Sequence, residues 1–194
     1  KYFTVSFNAE IKNSIALSFI IHFQSHIMSM KAVPAIPLPE KEFLLAIDAG
    51  VKTGLALYQK PDTLIWYRSH NMGSVSSLRK AAYSLLHSLE NLKVIIVEGG
   101  GPVALAWTKE AQKLQIRAVL TDAGDWRKEV LLPREQRNGI IAKQTAIRLA
   151  ESLIHQSEAD SKNTPTHDAA EAILIGLWGC KEAGWTSVIR KIPR

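Results

Sequence analysis

Two uninterrupted apolar runs, each closed by a carboxylate, constrain this chain more than any other feature. The first is Phe43-Leu44-Leu45-Ala46-Ile47, ended by Asp48; the second is Val94-Ile95-Ile96-Val97, ended by Glu98. Short apolar runs bounded by turn residues read as buried strands. After Asp48 come Ala49-Gly50-Val51-Lys52-Thr53-Gly54, which turn the chain into a second strand, Leu55-Ala56-Leu57-Tyr58, and after Glu98 come Gly99-Gly100-Gly101-Pro102. A carboxylate at the end of a buried strand is costly without a partner, so something positive is expected to meet it. Hard divalent cations are natural candidates: Mg²⁺ takes one or two carboxylates, keeps waters and accepts phosphate oxygens, which is the setting of phosphodiester chemistry. A further pair, Asp168 and Glu171, opens the last helix; three residues apart, they share a helix face, with only Ala169 and Ala170 between them. Each acid also has a plainer reading. Asp48 before Gly50 suits a backbone-bonding turn, and Asp168 suits a helix N-terminus. Glu98 is harder to explain that way, because Glu is depleted in strands.

The rest of the pattern from Phe43 onward is regular. Thr63-Leu64-Ile65-Trp66-Tyr67-Arg68 reads as a third strand, and Leu78, Ala81, Ala82, Leu85, Leu86 and Leu89 recur at helical spacing behind a capping region at Ser74–Ser77. A helix is expected from about Val103 to Leu114, a fifth strand at Arg117–Thr121, a helix face at Ala142, Ala146, Leu149, Ala150 and Leu153, and a last helix from His167. The expected order is three strands, helix, strand, helix, strand, helix, helix. Residues 1–40 read as a separate N-terminal extension, since Val33–Pro39 carries three prolines and suits an extended linker; residues 41–194 form the expected domain. The first forty residues hold three Lys and two Glu, so +5 of the formal net charge of +6 belongs to the rest, which favours a polyanionic partner. The single cysteine, Cys180, excludes an internal disulfide and a cysteine-based zinc site. The apolar run Ile15–Phe23 contains Ser18 and His22 and is too short for a membrane span. No small-residue cleavage pattern follows it, so a cytoplasmic or nucleoid-associated address is expected, with organellar targeting left open.

Strand order and acid placement resemble the RNase H-like superfamily and, within it, the RuvC-type Holliday junction resolvases. The resemblance rests on Asp48-Ala49-Gly50-Val51-Lys52-Thr53-Gly54, on Val97-Glu98, and on His167-Asp168-Ala169-Ala170-Glu171-Ala172, and it covers about residues 42 to 180. It implies an α/β RNase H-like fold, a mixed five-stranded sheet flanked by helices. It also implies a crossover junction endodeoxyribonuclease in which Asp48, Glu98, Asp168 and Glu171 hold two Mg²⁺ ions, with Mn²⁺ able to substitute. The implied partner is branched DNA, a four-way junction, bound by a homodimer without any membrane. One departure stands out: many members carry Asp-x-x-Asp or His-x-x-Asp on the last helix, whereas here the second acid is Glu171 and His167 precedes the first.

A nuclease of this kind needs cations beside its acids. Lys52 lies in the first turn, and Trp126, Arg127, Lys128, Arg134, Arg137 and Lys143 follow the fifth strand. The cations suit phosphates, and Trp126 suits either stacking on a base or covering the sheet edge. His167 suits either an auxiliary role, orienting water or touching phosphate, or an exposed first turn. The triple glycine lets backbone approach either a substrate strand or the following helix, and it is no Walker loop because no Gly-Lys-Ser/Thr follows. Three other readings remain: a ribosomal-RNA-processing nuclease with a similar first-strand motif, a non-catalytic nucleic-acid-binding module, and an actin-like or sugar-kinase ATPase, which would need two large lobes. On the helix from Val103, the residues Val103, Leu105, Ala106 and Trp107 offer apolar surface for a dimer contact.

Overall fold

Side-chain alternation along the strands divides the core into two halves on opposite faces of one sheet. In the computed structural model, which describes residues 40–157, 159 and 164–194, the strands are β1 (Phe43–Asp48), β2 (Lys52–Gln59), β3 (Thr63–Asn71), β4 (Leu92–Glu98) and β5 (Arg117–Thr121). The helices are α1 (Val75–Ser88), α2 (Gly101–Lys113), α3 (Ala123–Val130), α4 (Gly139–His155) and α5 (His167–Glu182), with a 3₁₀ turn at Pro133–Gln136. The sheet order is β3-β2-β1-β4-β5. The first three strands form an antiparallel meander, while β4 and β5 run parallel to β1. Leu45, Ile47, Leu55, Leu57, Ile95 and Val97 face α1 and α2; Leu44, Ala46, Ala56, Tyr58, Val94 and Ile96 face α3, α4 and α5. The N-terminal extension lies outside the described residues, and residues 40–194 form one compact unit. No helix among the described residues is long and apolar enough to cross a membrane.

Local chemistry accounts for the element ends. Ser74 caps α1 by accepting from the Ser77 amide at 3.1 Å, and Asn138 caps α4 through the Ile141 amide at 2.9 Å. α5 is buried almost all round, from Ala169 to Cys180, and Tyr58 Oη donates to the Ile173 carbonyl at 2.8 Å across its face.

The structure departs from the expected order after β5. The expected order has no element at α3, but Asp122 caps a two-turn helix there by accepting from the Asp125 amide at 3.0 Å. At eight residues it shows too few apolar repeats for its period to register, and tertiary burial of Trp126 and Val130 holds it in place. The dimer surface expected on α2 is also reduced: Trp107 is wholly buried and Ala106 nearly so, leaving Leu105 as the exposed large apolar residue of that set.

Candidate active site

Pairing register alone places two of the acids side by side. Asp48 and Glu98 are register partners on the parallel strands β1 and β4, and the Ala49 amide donates to the Glu98 carbonyl at 2.9 Å. The turn after Asp48 is pinned by Thr53, fully buried, whose hydroxyl donates to the Gly50 carbonyl at 2.8 Å. Gly99 has φ +116°, and a Cβ there would stand 3.0 Å from the Ala49 carbonyl oxygen. What the triple glycine approaches is therefore the β1 turn itself.

The helix acids arrive because Gly54 has no side chain. Gly54 is the register partner of Asp48 on β2, and a Cβ on it would lie 1.9 Å from the Asp168 carbonyl oxygen. The first turn of α5 thus rests directly on the sheet beside Asp48. Ser69 on β3, also paired with Gly54, donates to Asp168 Oδ2 at 3.2 Å. Neither role was visible in sequence, because both depend on which strands are neighbours.

Among the described residues, each of the four carboxylates but Asp48 has a side-chain donor. Trp126 Nε1 donates to Glu98 Oε2 at 2.7 Å, and Arg127 pairs with Glu171 in a short contact. Of the two readings of Trp126, stacking on a base is excluded: the side chain is fully buried, its indole packed on the sheet and its N–H donated to Glu98. Arg127 likewise turns inward to an acid rather than outward to a phosphate. Lys128 is exposed and pairs with Asp125 at 3.3 Å; Lys52, Arg134, Arg137 and Lys143 are exposed. His167 is not an exposed helix end: its ring lies with Nε2 3.3 Å from Glu171 Oε2 and Nδ1 3.9 Å from Asp168 Oδ1.

Electrostatics record the crowding. Burial pushes the Asp48 carboxyl up to about 7, with Glu171, Glu98 and Asp168 adding repulsion and Arg127 offsetting part of it. Burial raises Glu98 as well, against the Trp126 hydrogen bond that favours its charged form. Among the described residues, Arg127 is the one guanidinium that acts on these acids, so they are short of positive charge, and their all-oxygen donor set has the chemistry of a hard divalent site. Among the described residues, no group of three or more His, Cys, Asp or Glu side chains is gathered tightly enough to hold a metal ion as the side chains stand. Trp126, Arg127 and Ser69 hold three of the carboxylates where a cation would compete for them.

No protein-family model matches the sequence, and comparison with curated proteins gives no similar sequence. Solved structures do match. T. thermophilus RuvC in complex with Holliday junction substrate aligns with a TM-score of 0.52 at 13% identity, over 74% of this chain and 96% of that one. The catalytic core domain of BIV integrase aligns with a TM-score of 0.32 at 10% identity, over 70% of this chain and 81% of that one. The mixed five-stranded sheet with its flanking helices is the RNase H-like fold.

Proposed function

We propose that this protein is a metal-dependent nuclease, and more specifically a RuvC-type endonuclease that resolves four-way DNA junctions as a homodimer. The observation that carries the reading is the convergence of Asp48, Glu98, Asp168 and Glu171 from β1, β4 and α5 on one end of an RNase H-like sheet. The RuvC structure that shares this fold is bound to a Holliday junction. The cofactor would be Mg²⁺, two ions with Mn²⁺ able to substitute, held by the four carboxylates. When bound, such ions activate the attacking water and stabilise the leaving oxygen.

The chain's own residues prepare that chemistry. Ser69 orients the Asp168 carboxylate and Trp126 orients that of Glu98, so neither has to be immobilised when substrate arrives. Arg127 neutralises Glu171 and lessens the repulsion that favours the protonated form of Asp48. His167, beside both helix acids, is placed to orient water or to touch a phosphate. Exposed Lys52, Lys128, Arg134, Arg137 and Lys143 supply phosphate contacts that position DNA without reading its sequence. A cytoplasmic or nucleoid address belongs with this reading. Resolution of one junction requires two symmetry-related cuts, and one chain carries one set of acids, so two copies are needed.

The test is cleavage of a labelled four-way junction, a linear duplex and a structured RNA in Mg²⁺, alongside Asp48→Asn and sedimentation with and without junction. Junction-selective cutting lost in Asp48→Asn supports the proposal. RNA-selective cutting transfers the site to RNA processing, and near wild-type cutting by Asp48→Asn overturns the assignment of the acids.

A further inference from the structure

The two helices on the other side of the sheet from α3, α4 and α5 carry a feature of their own. α1 and α2 both return from the acid-bearing end of the sheet, α1 from β3 and α2 from β4, so they run in the same direction. His87 Nε2 lies 3.1 Å from Glu110 Oε1, 23 residues away in sequence, and this contact sets the register between them. Tyr83 is therefore level with Ala106, and Arg79 with Pro102. Between the helices runs an open groove of about 520 Å³, lined by Arg79, Lys80 and Tyr83 of α1 and by Leu105, Lys109 and Lys113 of α2. From Pro102 to Lys113 it is roughly 16 Å long, the span of about five residues of extended chain.

Its chemistry is apolar in the middle and basic at both ends. Tyr83 is 55% and Leu105 46% exposed, and with Ala106 they form the middle. Two large apolar side chains left open in one groove mark a surface that a partner can cover. Arg79 and Lys80 stand at one end, Lys109 and Lys113 at the other. Among the described residues the lining holds one acid, Glu110, which is buried and already accepts from Lys113 Nζ at 2.7 Å. Arg79, Lys80 and Lys109 are exposed and have no carboxylate partner among the described residues.

An occupant that matches this pattern brings negative charge to both ends and an apolar group to the middle. We propose that the groove docks an acidic segment of a partner protein, an extended stretch of about five residues with one bulky apolar side chain between Asp or Glu residues. Opposite charge speeds the encounter and rejects basic segments. A second copy of this chain does not fit, because two-fold pairing of this face sets cations against cations. A nucleic-acid strand would meet the cations but not the middle: Tyr83 already stacks on His87, ring centroids 4.1 Å apart, and Leu105 and Ala106 have no π face for a base. The inference does not rest on the nuclease reading, since none of these residues belongs to the acidic cluster.

Peptide display tests this, with the full-length protein immobilised as bait and a library of random dodecapeptides as the probe. Selected peptides are synthesised and titrated by fluorescence anisotropy against wild type, Lys109→Glu, Leu105→Ser and Lys191→Glu. The expected peptides carry acids on both sides of a Leu, Ile, Phe or Trp. They should bind Lys109→Glu and Leu105→Ser roughly fivefold more weakly or worse. Lys191→Glu makes the same change in net charge at an exposed position on the other side of the sheet, and should leave the affinity within about twofold of wild type. No enriched peptide, enriched peptides without acids, or equal binding to Lys109→Glu and wild type overturns the proposal. Displacement of the peptide by single-stranded dodecathymidylate assigns the groove to nucleic acid and overturns it as well, whereas a peptide complex that persists supports it. If Leu105→Ser does not fold, Lys109→Glu at its exposed position decides the matter by itself. No cleavage is read, so failure here is separate from failure of the nuclease assignment.

Discussion

Replacing Asp48 with Asn should stabilise the metal-free protein at alkaline pH, although the same change is expected to abolish cutting. The Asp48 carboxyl is pushed from its ordinary 3.8 to about 7 by burial and by Glu171, Glu98 and Asp168. Between those values the folded chain holds a proton that the unfolded chain has released. This residue's contribution therefore makes stability fall as pH rises through the window from about 4 to about 7, and the penalty is complete above it. Each tenfold change in proton affinity is about 1.4 kcal/mol, so the full penalty is about 4 kcal/mol. Solvent at the partly open site reduces this, and roughly 1–3 kcal/mol is expected. For a domain of this size that is about 2–12 °C in Tm. The assay is thermal unfolding of wild type and Asp48→Asn in chelator at pH 5 and pH 8. The variant should be the more stable at pH 8, and its advantage should shrink at pH 5. Millimolar Mg²⁺ should raise the Tm of wild type, because a ligand that binds only the folded state stabilises it, and should do little for the variant. A variant no more stable than wild type at pH 8, or an advantage that is the same at both pH values, would refute the crowded-carboxylate argument.

Four further outcomes follow from the same geometry. Gly54→Ala places a Cβ where the Asp168 carbonyl lies, so the start of α5 must shift; a loss of about 3 kcal/mol or more in denaturant unfolding is expected, with loss of activity, and wild-type stability would count against that contact. Trp126→Phe removes the 2.7 Å donor to Glu98 and leaves a small cavity in a fully buried site; it should cost about 3 kcal/mol or more at pH 8 and less at pH 5, where Glu98 is more often protonated, as read by urea unfolding at both pH values. Turnover should require Mg²⁺ or Mn²⁺, while Ca²⁺ permits DNA binding with little cutting because its looser coordination misplaces the attacking water; activity that survives exhaustive chelation would contradict this. Lys52→Gln should weaken DNA binding similarly across sequences and lower the slope of log affinity against log salt by about 1, measured by fluorescence anisotropy.

The sequence by itself determined the sheet and the identity of the acids, because both are local patterns. Apolar runs long enough to be strands, ended by residues that strands disfavour, can be read without knowing what lies beside them. Asp48 and Glu98 were legible as candidates for that reason, and Asp168 and Glu171 by their spacing at a helix start; the cap at Ser74 and the fifth strand at Arg117–Thr121 were legible as local patterns too. What surrounds the acids was decided only by tertiary structure. Gly54 looks like one more turn residue until α5 is laid across it, and Ser69 looks like an ordinary strand residue until β3 is placed two strands from β1. Trp126 and Arg127 read as a nucleic-acid surface because an aromatic beside a cation has that composition. Their contacts with Glu98 and Glu171 lie 28 and 44 residues away in sequence, so no local pattern could assign them. The buried indole N–H of Trp107, which has no partner among the described residues, is a property of the same kind, since it depends on which groups are neighbours in space.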